Sequence, residues 1–216
     1  LRADWMAVRQ GGRLHALGWS VMSDQQRCYV PQLRVGATAW QWLPSIDAEE
    51  AVLLPCGDGA PLIIARPRGG PFHHGAFGTP PSPGPPAAGR LLPPRWVQGD
   101  GATWVLLDTG ALLRCDHGTR AVTTATGDPL LTQVLPLGGA LYGLLLDGRL
   151  ALSRDGGQTW ALPAHDPLPE PAARLIAYRG PTVQGLLPVP HRGSRTLTLL
   201  PTALLAERGN ATLPID

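Results

Sequence analysis

Lysine is absent from this chain: all 18 basic residues are arginine, the usual mark of a GC-rich genome. That absence excludes the phosphate-cradling Gly-x-x-x-x-Gly-Lys loop, whose chemistry needs a lysine ammonium. Charge of either sign is scarce, at 16% of residues with a formal net charge of +2. The arginines are scattered, with local pairs only at Arg66/Arg68 and Arg192/Arg195. No basic stripe with interleaved aromatics exists, so a nucleic-acid partner is not expected. Long hydrophobic runs are missing too. The longest, Val134 to Leu146, contains Pro136 and the Gly138-Gly139 pair and falls well short of the ~20 residues of a bilayer-spanning helix. No membrane span is expected.

Cysteine is rare. Cys28, Cys56 and Cys115 lie far apart without Cys-x-x-Cys spacing, so a zinc site is not expected. An odd count allows at most one internal disulfide and leaves a thiol over; the expectation is three buried, unpaired, small apolar residues. His73 and His74 are adjacent, so their rings diverge, and no third ligand is spaced nearby; no metal is expected there. There is no Gly-x-Ser-x-Gly nucleophile elbow. No catalytic, cofactor-binding or metal-binding residue is assigned, and no cofactor.

What the chain has in abundance is punctuation: 27 Gly and 24 Pro in a sequence that is 44% hydrophobic. This is the composition of many short strands joined by tight turns. A chain of 216 residues can bury a sizeable core as a single all-β domain over 1–216. It begins at Leu1 rather than Met, which fits a processed or trimmed product. Gly139 to Gly148 echoes Gly101 to Gly110, and each copy is followed by an apolar run ending in Asp-x-Gly, at Asp155-Gly156-Gly157 and Asp116-His117-Gly118. Gly59, Gly101, Gly139 and Gly180 recur at intervals of about 40 residues, the blade length of several propeller families, WD40-like ones included.

The clearest repeat reads strand by strand: Thr132 to Leu135, a Pro-Leu-Gly-Gly turn, Leu141 to Leu146, an Asp147-Gly148 turn of type I′, Leu150 to Arg154, a polar turn, then Thr159 to Leu162. Tyr142 to Leu146 is continuously apolar, as expected where both sheet faces are covered. Earlier, Leu14 to Val21, Arg27 to Val35, Glu50 to Leu54 and Leu62 to Ala65 read as strands. The Trp40/Trp42 segment lies too far from Asp24 for a comparable turn. Residues 70–92 include Thr79-Pro80-Pro81-Ser82-Pro83-Gly84-Pro85-Pro86, where a ladder is not expected because proline cannot donate. That segment is read as an extended or disordered loop with partial polyproline II character. Five blade-sized units fit, at about 3–44, 45–95, 96–128, 129–168 and 169–216, either closing by themselves or as a partial ring completed by a partner.

Ser153-Arg154-Asp155-Gly156-Gly157-Gln158-Thr159-Trp160 resembles the Asp-box (BNR-repeat) hairpin of sialidase-type, sortilin-type and photosystem-assembly β-propellers. The resemblance implies a β-propeller of about five four-stranded blades. It gives Ser153, Asp155, Gly157, Thr159 and Trp160 a structural role, the aspartate capping its own turn and the tryptophan packing between strands. A calcium or ligand site in that turn is the alternative. The third unit keeps Asp116 and Gly118 but has Arg114 for Ser, Arg120 for Thr and Ala121 for Trp. In such propellers the hairpin lies on the outer rim, away from the ligand face, which favours a non-enzymatic interaction scaffold, a subunit of a hetero-complex with protein partners. The other reading is a glycan-binding or sialidase-like glycoside hydrolase domain. Sialidases combine an arginine cluster, one in an Arg-Ile-Pro motif, with a tyrosine nucleophile polarised by a glutamate. Here the nearest motif is Arg66-Pro67, and no pairing emerges among Tyr29, Tyr142, Tyr178 and Glu49, Glu50, Glu170, Glu207. An extracytoplasmic or secreted location is slightly favoured. Asn210-Ala211-Thr212 has the glycosylation-acceptor pattern, relevant only in a secreted eukaryotic protein.

Overall fold

The computed structural model describes residues 3–10, 12–22, 25–34, 41–87, 89–91, 96–163, 168, 171–179, 183–190 and 199–201, with backbone alone at 3–5, 19–22, 25–34, 41–42 and 44–45. Among these residues every regular element is a β-strand, and no helix is long and apolar enough to cross a membrane. The first sheet orders β1 (Ala3–Gln10), β2 (Arg13–Met22), β3 (Gln25–Arg34) and β4 (Gln41–Asp47); the second, β5 (Glu50–Leu54), β6 (Leu62–Arg66), β7 (His73–Ala76) and β8 (Ser82–Pro83). The third comprises β9 (Val97–Gly99), β10 (Ala102–Leu106), β11 (Leu112–Asp116) and β12 (Val122–Ala125). The fourth has β13 (Leu131–Leu137), β14 (Ala140–Leu145) and β15 (Leu150–Ser153), and the fifth β16 (Ala172–Arg179), β17 (Gln184–Pro190) and β18 (Leu200–Pro201). In every sheet sequential strands are hydrogen-bonded neighbours. The fold class is all-β, built as five serial antiparallel meanders among the described residues, and the sheet limits lie close to the unit limits expected from the repeat.

Two compact units group these residues. The first takes Leu1–Leu91, Gly101–Thr103 and Arg114–Thr124; the second takes Leu92–Asp100, Trp104–Leu113 and Ala125–Asp216. In the first, Val52 to Leu54 on β5 and Leu62 to Ala65 on β6 are buried throughout, as continuous apolar strands require when both faces are covered. Phe72 and Phe77 complete this core, the latter edge-on to the buried His15 ring at 4.8 Å. Burial holds the His15 imidazole below its usual range, against the Gln10 carbonyl that favours its charged form. In the second unit, Leu137, Tyr142, Leu144, Leu150, Leu152, Leu175 and Leu186 form the centre of one cluster.

Several expectations are corrected. Cys56 and Cys115 are not free thiols: they form a disulfide with Cα atoms 6.5 Å apart and a sequence separation of 59. Both residues are buried, and only the fold brings β11 to the segment after β5. The Cys28 side chain, Trp40, Asp24, Glu170, Glu207 and Asn210 lie outside the described residues. The Asp147-Gly148 hairpin is not of type I′. Gly148 has φ 85° but Asp147 has no positive φ; Gly148 N–H donates to Leu145 O and Leu145 N–H to Arg149 O, both at 2.9 Å. Leu146, Asp147 and Gly148 therefore form a three-residue loop with glycine at its left-handed position, and Leu146 leaves the strand, 73% exposed. Two-residue turns with both φ values positive are found instead at Asp100-Gly101 (51° and 73°), joining β9 to β10, and at Gly138-Gly139 (64° and 78°), joining β13 to β14.

Two further corrections concern ladders. Thr159 to Leu162 is not a strand: a single antiparallel bridge joins Leu152 and Ala161, which exchange both backbone bonds at 2.9 Å. The next donors are lost on either side, because Thr159 N–H is taken by Asp155 and Pro163 has none. Conversely, residues 70–92 are not all loop. His73–Ala76, free of proline, pairs with β6, and Ser82–Pro83 adds an edge strand in register His73↔Pro83 and His74↔Ser82. An edge strand can carry proline because its outer side needs no donor.

Candidate functional site

The turn after β15 is built around one carboxylate. Asp155 Oδ1 accepts the Ser153 hydroxyl (2.8 Å), the Gln158 N–H (3.0 Å) and the Thr159 N–H (2.9 Å), while Oδ2 accepts the Thr159 hydroxyl at 2.5 Å. The Ser153 oxygen in turn accepts the Gly157 N–H at 2.8 Å. Burial opposes ionisation of Asp155, but the bonds from the Thr159 hydroxyl and amide, Ser153 and Gln158 outweigh it and lower its pKa to about 2. Four hydrogen bonds, three on Oδ1 and one on Oδ2, thus tie the Asp155 carboxylate to its own turn. Gly157 is buried at φ 88°, where a Cβ would come 2.6 Å from Leu112 Cδ1; only glycine fits. Trp160 donates its Nε1–H to Gly157 O at 3.2 Å and lies over Gly143, but it is half-buried rather than enclosed between strands.

The third sheet repeats this device in shortened form. Asp116 Oδ1 accepts Gly118 N–H (3.1 Å), Thr119 N–H (2.9 Å) and the Thr119 hydroxyl (3.1 Å), with the Arg114 guanidinium on Oδ2 at 3.2 Å. Thr119, one position earlier than the repeat expects, supplies the hydroxyl. Arg120 instead adopts a left-handed φ of 59° and donates to Cys56 O at 2.9 Å and to Ala60 O.

Sequence reasoning missed the buried polar clamps. Gln133 Nε2 donates to Leu175 O and its Oε1 accepts Leu175 N–H, both at 2.8 Å, so a β13 side chain pairs with β16 like a short piece of strand. Gln10 stands in a similar relation to Cys56, donating to Cys56 O (3.3 Å) and accepting Cys56 N–H (3.4 Å). The Thr103 hydroxyl donates to Pro55 O at 2.5 Å and lies 2.8 Å from His117 Nε2. The only local signal is a glutamine at an otherwise apolar strand position.

The proline-rich segment is anchored. Gly84 N–H donates to Phe72 O at 3.0 Å, and the Ser82 hydroxyl to His74 O at 3.4 Å. A Cβ on Gly84 would come 2.8 Å from His74 Nδ1, so the close approach depends on glycine. Pro80, Pro83 and Pro86 are exposed while Pro81, Gly84 and Ala87 are half-buried.

Arg66 pairs with Glu50 Oε1 at 3.1 Å and Glu49 at 3.8 Å, donates to Gly89 O at 3.0 Å, and sits 5.7 Å above the Phe72 ring. Tyr142 is in the second unit's core, and its burial raises its pKa. Tyr178 is exposed on β16, and the Tyr29 side chain is outside the described residues. His73 and His74 alternate along β7, and no group of three His, Cys, Asp or Glu among the described residues is placed to hold a metal.

No family model matches the chain, and no curated protein matches it. Among solved structures, "Crystal structure of HIRA(644-1017)" is similar at 12% identity with a TM-score of 0.43, over 75% of this chain and 53% of that one. The chain thus spans about half the length of that neighbour.

Proposed function

We propose that this chain is a non-enzymatic β-propeller of the Asp-box type that serves as an interaction scaffold within a larger hetero-assembly. The observation that carries the reading is how the polar groups with the strongest sequence signal are spent. Asp155 is consumed by its own turn, and Arg66 is held by Glu50, Glu49 and Gly89. Apolar side chains are meanwhile turned outward: Leu130 and Leu146, linked by a 2.8 Å backbone bond, are 49% and 73% exposed, and Ile176 and Tyr178 share an exposed face of β16. Exposed apolar groups on a rigid sheet scaffold are the material of protein contacts. The buried Cys56–Cys115 bridge supports an oxidising, extracytoplasmic setting.

Native mass spectrometry of the endogenous protein tests the reading. A mass equal to the chain plus a different polypeptide is expected; a lone monomer at cellular concentration would refute it. Turnover of a fluorogenic sialoside that is lost in Arg66→Ala would replace the scaffold reading with the glycosidase one.

A further inference from the structure

We infer that the outward face of the fifth sheet, with Arg174, Ile176 and Tyr178 on β16 beside Leu187 and Val189 on β17, docks a different polypeptide that presents an apolar surface edged by carboxylates. This rests on the scaffold reading and names both the surface and the chemistry of the partner. The register fixes which side chains share the face: Arg174 pairs with Val189, Ile176 with Leu187 and Tyr178 with Gly185. Side chains alternate across a strand, so Leu175, Leu186 and Pro188 lie on the opposite face.

The two faces are unequally covered. Leu175 and Leu186 are buried in the cluster that holds Leu137, Tyr142 and Leu144 of the fourth sheet, and Gln133 closes the same seam at Leu175. On the outward face Ile176 and Tyr178 are 40% and 44% exposed, and Leu187 and Val189 are only half-buried. Inner strands of the preceding sheets differ: β6 is buried from Leu62 to Ala65, β10 along its whole length and β14 from Leu141 to Leu145, whichever way a side chain points. Single exposed apolar residues need no partner, but here four share one face of two adjacent strands, and a docked surface would remove water from all of them.

Charge selects the occupant. Residues 171–206 contain four arginines and neither Asp nor Glu, and Arg174 makes no ion pair among the described residues. A second copy of this chain, docked face to face, would set Arg174 against a sheet with no carboxylate to meet it. A polypeptide with Asp or Glu at the rim of an apolar patch satisfies both demands: the carboxylate fixes orientation, and the apolar contacts supply most of the affinity.

The test is hydroxyl-radical footprinting of the endogenous complex against the same chain after dissociation. Oxidation of Tyr178 is expected to fall about fivefold or more in the complex, as for a residue at the centre of an interface, while that of Leu146 changes less than about twofold. Equal oxidation of Tyr178 in both states overturns the inference. Ile176→Ser/Tyr178→Ser should weaken the complex about thirtyfold or more, against less than about threefold for Leu130→Ser/Leu146→Ser. Arg174→Glu should weaken it about tenfold, and Arg174→Lys should restore most of that loss. These side chains are exposed, so each variant should melt like the parent; if the double variant does not fold, the footprint decides alone. A mass of two copies of this chain that the double variant abolishes overturns the inference in favour of a homodimer. A heteromeric native mass that survives Ile176→Ser/Tyr178→Ser removes this face as the contact and leaves the scaffold reading standing; a lone monomer removes the scaffold reading, and the docking face with it.

Discussion

Asp155 does by itself what a longer loop would otherwise do with several residues: it ties Ser153, Gln158 and Thr159 to one carboxylate. Its folded pKa of about 2 lies below the ordinary 3.8, so its stabilisation is fully present above about pH 4 and is lost as pH falls through 2. Asp155→Ala should lower stability by about 1 to 2 kcal/mol near neutrality, as expected for hydrogen bonds to a charged acceptor, and should flatten the acid limb of a melting-temperature profile between pH 5 and 2. An acid limb as steep as that of the parent protein would remove this role. Trp160 is half-buried over Gly143, so Trp160→Ala should cost about 2 kcal/mol, below the ~3 to 5 of a fully enclosed aromatic; an unchanged urea midpoint would show that its ring contributes nothing. The residues of this turn were legible in the sequence because all their partners lie within four positions of Asp155. Gln133 was not, because its partner Leu175 is 42 positions away.

At the scale of elements, hairpins whose conformation depends on neighbouring residues were read well in kind and less well in type. The strands Glu50–Leu54 and Leu150–Ser153 lie where apolar runs place them, yet Asp147-Gly148 opens a three-residue loop and the two-residue turns are at 100–101 and 138–139. The difference lies in Leu145, which already pairs with Arg149 and so pushes Leu146 into the turn. The Pro-rich segment shows the opposite error: proline forbids a central strand, but β8 is an edge, where its missing N–H costs nothing. Between elements, the Cys56–Cys115 bridge ties the β5–β6 connection to β11. Closing a loop of 59 positions contributes about 4 kcal/mol in the chain-entropy account. The double variant Cys56→Ala/Cys115→Ala should therefore melt well below the parent, and addition of reductant should shift the parent toward it. A parent melt that reductant and the double variant both leave unmoved would mean that the bridge contributes no stability.

For the whole molecule, the expected native mass follows from composition and surface together. A chain with only 16% charged residues that also turns Leu146 and Tyr178 to solvent has few devices against association, and a dedicated partner is the economical way to cover such groups. Periodicity of about 40 residues, apolar strands covered on both faces and the Ser153–Trp160 turn are properties of short neighbouring segments, and the linear chain was sufficient to establish them. The pairing of Cys56 with Cys115, the reach of Arg120 to the Cys56 carbonyl, the Gln133 clamp and the inward or outward facing of each proline in 79–87 join residues tens of positions apart or depend on what lies beneath them. Such contacts exist only once strands are in register, because no local energy term rewards them before the chain has folded.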